Sequence, residues 1–297
     1  MATSPASISV SYKTILLATD FLSSSESALP YVLKLAGSFD STVLAAHAVP
    51  FEPITGLGAV PPTGDMDYEW QSALDAMEKY KVSHPFSGLR HEFLLERGEP
   101  HMVIADIVER RGVDLVVQGS HGRRGLRKVF VGSVAEEVFR TVPCPVLTVG
   151  PGVEPLGDAK WQPRRILFAT EFAEGSVHAL PHALAIAEAS QAELLVLHTV
   201  ALVPWEGQSA MAIETQRKME KLVPPEIRKR CDVQLKVCFD LPAPGILATA
   251  RAKNCDLIVM GVHHARFPRV DAHLIGTTAC EVISQAHCPV LTVGGQR

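Results

Sequence analysis

The chain has 297 residues, 47% of them hydrophobic and 20% charged, with a formal net charge of −4. A chain of this length and balance can bury its own cores without staples, and its total charge is not basic enough for nucleic acid to be the expected partner. No run of roughly 20 apolar residues occurs, so neither a membrane span nor a membrane partner is expected.

Taken in chain order, strands are predicted at about 14–19, 42–49, 91–96, 114–119 and 145–149. Helices at about 25–38, 66–82, 100–111 and 132–141 separate them. The second part of the chain gives strands at about 165–170, 193–200, 233–238, 256–261 and 289–293, with helices at about 175–190, 207–220, 244–253 and 277–286. Strand runs such as Ile15-Leu16-Leu17-Ala18 and Leu194-Leu195-Val196-Leu197 are nearly all apolar, the mark of parallel strands covered on both faces. The alternation predicts an α/β class with a doubly wound sheet.

Several boundaries are marked chemically. Ser23 and Glu26 form a capping box for the first helix, and Ser133 with Glu136 repeats that pattern at the fourth. Pro30 and Pro181 fall inside helical patterns and should bend them or delay their start. Pro50 to Asp67, rich in Pro and Gly, is expected to be a mobile loop, and Pro151 to Arg164 a linker. Met1 to Ser11 lacks a charged region followed by an apolar core, so no secretory signal is expected. The six cysteines match no zinc spacing, and free thiols in a reducing cytoplasm are the expectation.

The chain contains itself twice. Lys13 to Phe21 returns as Arg164 to Phe172, Asp114-Leu115-Val116-Val117 as Asp256-Leu257-Ile258-Val259, and Cys144 to Gly150 recurs unchanged as Cys288 to Gly294. Each copy is the size of one domain rather than of a solenoid repeat. Two like domains are expected, at 12–150 and 164–295.

The chemistry gathers at strand ends. In an open parallel sheet, ligands sit beyond the carboxyl ends of strands where the winding reverses. Thr19-Asp20 closes the first strand and Gly119-Ser120-His121-Gly122 closes the fourth, so neighbouring strands would place both at one crevice. Asp20 is suited to accept from a ribose hydroxyl or an adenine amino group, or to hold Mg²⁺ through water. Gly132 and Ser133 stand at a helix start, where main-chain N–H groups and the dipole favour anions. The loop between adds Arg123, Arg124, Arg127 and Lys128. His47 and His198, at equivalent places near the ends of the second strands, are read as satisfied core-edge histidines.

The spacing of Gly119, Gly122, Gly132 and Ser133, the Thr19-Asp20 pair and the closing Cys144-Pro145-Val146-Leu147-Thr148-Val149 strand resemble the universal stress protein family, as a tandem member. The resemblance implies two five-stranded parallel sheets in the order 3-2-1-4-5 with helices on both faces. It also implies ATP or a related adenine nucleotide as ligand. Carried over by residue, adenosine would meet Thr19, Asp20 and the backbone near Ala48; the phosphates would meet Gly119, His121, Gly122, Gly132, Ser133 and Val134. Arg123 and Arg124 join them by charge and position.

The second copy departs from this pattern. Glu171 replaces Asp20, Gly261 is kept, and His264 stands where the second glycine belongs. Weak or no ATP binding is expected there, since a side chain would crowd the phosphate path. Its His263, His264, Asp271 and His273 are read as a histidine-rich polar loop rather than a metal site. No catalytic triad or carboxylate pair is evident. The expected function is a cytoplasmic stress-response protein that binds adenine nucleotide in its first domain and regulates an unnamed protein partner. The alternatives are a nucleotide-free scaffold and an adenine-nucleotide hydrolase. The last strands, as open apolar edges, should cover each other by antiparallel pairing within the chain, and a homodimer of whole chains is a further option.

Overall fold

The computed structural model describes residues 10–21, 26–50, 63–84, 86–120, 132–156, 160–201, 204–262 and 277–294. The first half carries β1 (Thr14–Ala18), α1 (Leu29–Phe39), β2 (Thr42–Val49), α2 (Thr63–Ser83), β3 (Arg90–Arg97), α3 (Pro100–Arg111), β4 (Leu115–Gly119), α4 (Ser133–Thr141) and β5 (Val146–Val149). The second carries β6 (Arg165–Ala169), α5 (Glu174–Ser190), β7 (Glu193–Thr199), α6 (Trp205–Leu222), α7 (Pro225–Arg228), β8 (Val233–Cys238), α8 (Pro242–Ala252), β9 (Leu257–Val262), α9 (Thr277–Gln285) and β10 (Val290–Gly294).

The strands form one sheet in the order β3-β2-β1-β4-β5-β10-β9-β6-β7-β8. Each half is therefore the 3-2-1-4-5 parallel sheet expected. Successive side chains in a strand point to opposite faces, and the core divides accordingly. Ile15 and Leu17 join a cluster with Leu35, Met77, Leu184 and Met219 under α1, α2, α5 and α6. Leu16 joins Ile107, Val138, Leu247 and Val282 under α3, α4, α8 and α9.

The halves meet where β5 pairs antiparallel with β10, Thr148 opposite Val290, Leu147 opposite Leu291 and Val146 opposite Thr292. Leu147 and Leu291 are repeat equivalents, so a pseudo-two-fold axis passes between them. The pairing removes two open edges at once. Other contacts tie the halves beside this seam. The hydroxyl of Tyr12 and Nδ1 of His182 share a 2.9 Å hydrogen bond. Trp161 is buried with its ring 4.9 Å from that of Tyr31. The segment after β5 is thus not a free tether. Gly150 accepts from the N–H of Val153, and a Cβ at Gly150 would stand 2.0 Å from the carbonyl oxygen of Ile283.

Some element ends differ from the sequence reading. α1 begins at Leu29, after a 3-10 turn at Glu26–Ala28, with Pro30 in its first turn; Ser23 lies outside the described residues. α5, by contrast, runs through Pro181 without interruption. α2 starts at Thr63, inside the segment expected to be loop; 51–62 lie outside the described residues. Gly132, not Ser133, is the N-cap of α4, and no side-chain cap bond forms there. Ser133 is the first helical residue, so the predicted capping box is not made. α7 was not anticipated. All six cysteines are free.

Candidate functional site

A cleft of about 510 Å³ opens at the carboxyl ends of β1, β2 and β4, between α3 and the start of α4. Adjacent β1 and β4 bring the two sequence signals to it: Ala18 pairs with Gln118, so Thr19-Asp20 and Gly119 leave the sheet side by side. Of the predicted site residues, Thr19, Asp20, Ala48, Gly119, Gly132, Ser133 and Val134 all line the cleft. His121, Gly122, Arg123 and Arg124 lie outside the described residues.

The turn after β1 is built by Thr19. Its N–H continues the ladder to the carbonyl of Ala46 at 3.0 Å, and its hydroxyl oxygen accepts from the N–H of Phe21 at 2.9 Å. Phe21 sits at φ 56°, a conformation costly for a bulky side chain. Its ring is anchored among His47, Tyr80 and Phe93, with centroids 5.5–6.1 Å away. This anchored turn sets where Asp20 stands.

His47 donates from Nδ1 to the carbonyl of Thr19 at 3.0 Å, and His198 does the same to Thr170. Both are satisfied as expected. Burial depresses the pKa of His47, opposed by the Thr19 hydrogen bond and by Asp20, so it lines the cleft as a neutral ring at pH 7. Asp20 is the one formal charge among the described lining residues.

At the opposite wall, α4 presents its first turn. Helix geometry leaves the N–H groups of Ser133, Val134 and Ala135 without intrahelical acceptors, and all three residues line the cleft. With an extended glycine as N-cap, no side-chain cap hydrogen bond is made to them among the described residues. Main-chain donors at a helix N-terminus suit an anionic group.

Besides His47, six lining positions are not site residues in the sequence reading: Ala18, Ala46, Pro100, Ile104, Gln118 and Ala135. The register gives three of them meaning. Ala46, Ala18 and Gln118 lie in one row across β2, β1 and β4. In the second half the same row reads Leu197, Ala169 and Met260. Leu197 and Met260 are buried, 1% and 6% exposed, among Ala243 and Ile246 of α8. A larger apolar side chain, Leu197, thus stands in the second half where Ala46 lines the cleft in the first. Gly261 has a packing role there: an added Cβ would lie 2.4 Å from the carbonyl oxygen of Gly175 at the start of α5. His264 and its neighbours lie outside the described residues, and among those described no group of three His, Cys, Asp or Glu side chains could hold a metal.

Comparison with known proteins agrees with this architecture. The family model described as the universal stress protein family matches residues 11–150 and again 163–294. A universal stress protein of Methanocaldococcus jannaschii is 34% identical over 145 residues, 46% of this chain and 82% of that protein. A second from the same organism is 30% identical over 157 residues, 48% of this chain and 97% of that one. The crystal structure of a universal stress protein from Archaeoglobus fulgidus superposes with a TM-score of 0.73 at 22% identity, covering 96% of this chain and 97% of the other.

Proposed function

The chain belongs to the universal stress protein family, and we propose that its N-terminal half binds ATP or a related adenine nucleotide and acts as a nucleotide-dependent regulator. The observation that carries this reading is the cleft itself. It joins a carboxylate at the end of β1 to bare main-chain donors at the start of α4, over a floor that small residues keep open. Asp20 and the backbone near Ala48 hold the nucleoside, with Thr19 fixing the turn beneath it. Gly119, Gly132, Ser133 and Val134 receive the phosphates, together with His121, Gly122, Arg123 and Arg124 from the intervening loop. Mg²⁺, where present, would supply countercharge to the phosphates, and Asp20 would be its ligand through water only if it did not hold the nucleoside. The second half, with Leu197 in its floor and Glu171 and His264 in place of Asp20 and the second glycine, binds nucleotide weakly or not at all and serves as structural partner.

No residue of the cleft is assigned as a general base, so the reading is binding rather than turnover. The site of action in this reading is the cytoplasm, where ATP is available. A protein partner reads the surface that bound nucleotide presents.

Thermal unfolding with and without MgATP tests this. Ligand at 100 times Kd stabilises by about 2.7 kcal/mol, a rise in Tm on the order of 5 °C. Mass spectrometry of small molecules released by heat identifies the nucleotide carried through purification. A melting curve unmoved by every nucleotide favours the scaffold, and steady multiple-turnover release of AMP favours a hydrolase.

A further inference from the structure

We propose that Gln118 is the positioning residue of the N-terminal cleft, a buried amide that clamps the two feet of the glycine-bearing loop together. Gln118 lies in β4 immediately before Gly119, at 3% exposure. Its Nε2 donates to the carbonyl oxygen of Ala135 at 2.8 Å and to Oγ1 of Thr148 at 3.2 Å. A backbone carbonyl can only accept, so the bond to Ala135 fixes which end of the amide faces α4. Ala135 is the third residue of that helix. One side chain therefore ties the strand end where the loop departs to the helix turn where it returns.

Packing does not require an amide here. Met260 fills the equivalent position of β9 among apolar neighbours. A buried amide costs stability unless its donors are satisfied, and the N–H groups of Gln118 are used on Ala135, which lines the cleft, and on Thr148 of the neighbouring strand β5. The clamp sets the distance and tilt between Gly119 and the N–H groups of Ser133 and Val134 that no intrahelical bond uses, donors that must converge on one anion. A helix start displaced by a fraction of an ångström no longer points them at the same oxygens. This role deepens the nucleotide reading and rests on it, and it makes a distinction that reading does not. Gln118 serves the phosphate half of the ligand, and the nucleoside half is indifferent to it.

The decisive variant is Gln118→Met, which copies the second half and is expected to fold. Two measurements on the full chain are made. Hydrogen exchange in the absence of nucleotide reports the clamp itself: the hydrogen-bonded amides of α4, from Glu136 onward, exchange about tenfold faster in Q118M, with the core strands unchanged. Isothermal titration then compares ATP with adenosine. Q118M weakens ATP by about tenfold and adenosine by less than about twofold. Thr148→Val removes the second acceptor only and leaves ATP affinity within about twofold. Unchanged exchange in α4 overturns the clamp. Equal weakening of ATP and adenosine, or a Thr148→Val loss as large as that of Q118M, overturns the positioning role. A wild-type protein that binds no ATP overturns the nucleotide reading, while faster exchange in Q118M still upholds the clamp.

Discussion

The two halves share strand order and register, yet the side chains at the end of the first strand differ between them. The contrast sits in a single row of side chains: Ala46, Ala18 and Gln118 against Leu197, Ala169 and Met260. A neighbouring set changes in concert. Ala48 and Val103 of the first half correspond to Thr199 and Gly245 of the second. A Cβ at Gly245 would stand 2.9 Å from Cγ2 of Thr199, so the larger residue on the strand goes with the absent one on the helix. Gly98 and Asp240 complete the exchange, since a Cβ at Gly98 would meet Cγ2 of Val103 at 2.9 Å. The backbone makes a crevice in each half, and side chains on its floor decide whether it stays one. A filled crevice is also a better-packed core, so the second half exchanges a binding surface for burial.

Substitutions that move residues between the halves put this contrast to the test. Leu197→Ala should have the largest effect, destabilising the chain by about 2–5 kcal/mol in urea unfolding, as deletion of a buried leucine does. It should confer no second nucleotide site, because Glu171 and His264 still stand in place of Asp20 and the second glycine; two ATP bound per chain would break the comparison. Ala46→Leu, the reverse change, should fill the N-terminal cleft and abolish the thermal shift with MgATP, forfeiting the ~2.7 kcal/mol of ligand stabilisation. Retained binding in that variant would mean that the ligand sits elsewhere. Acid supplies a third probe. Burial holds His182 at a pKa of about 4, well below the usual 6.5. The unfolded imidazole takes up its proton below about pH 6.5, whereas the folded one stays neutral until about pH 4. Stability is therefore whole above pH 6.5 and falls as pH drops to about 4, by up to about 3 kcal/mol. The equivalent residue of the first half is Tyr31, and His182→Tyr should flatten that slope in denaturation curves taken across the range. The smallest effect is expected of Gly245→Val, which crowds Thr199 at a cost of about 1–3 kcal/mol. Adding Thr199→Ala, as in the first half, should return most of it; strictly additive losses would deny that the positions are coupled.

Much of the fold could be read from residue order. Apolar runs such as Ile15 to Ala18 mark strands buried on both faces. α3 spans 100–111 as predicted, because Pro100 suits a first helical position and Gly112 takes the left-handed conformation that ends the helix, at φ 59°. Gly132 and Ser133 were placed at a helix start correctly but in exchanged roles, since either residue type can serve as N-cap. α7 escaped notice because Pro224-Pro225 reads as a turn while also being able to open a helix. The walls of the cleft were legible through Thr19, Asp20 and the glycines. Its floor was not. Ala46 and Leu197 are both simply apolar to pattern reading, and Gln118 passed as the last residue of an apolar strand. Only register shows that they share a row. The retained Gly261 teaches the converse: a glycine kept in a motif can answer to a helix packed against it rather than to a ligand.

The seam between β5 and β10 has a further consequence. When two identical chains associate about a true two-fold axis, every substitution appears twice, and an altered pocket is altered in both. Here the axis relates two stretches of one chain, so Leu147 faces a Leu291 that is free to sit in a different sequence context. Covalent continuity holds the ratio of open to filled pockets at one to one in every molecule, whatever its concentration. Nucleotide titration should accordingly saturate at one equivalent without cooperativity within the chain, a stoichiometry written into the connectivity rather than the affinity.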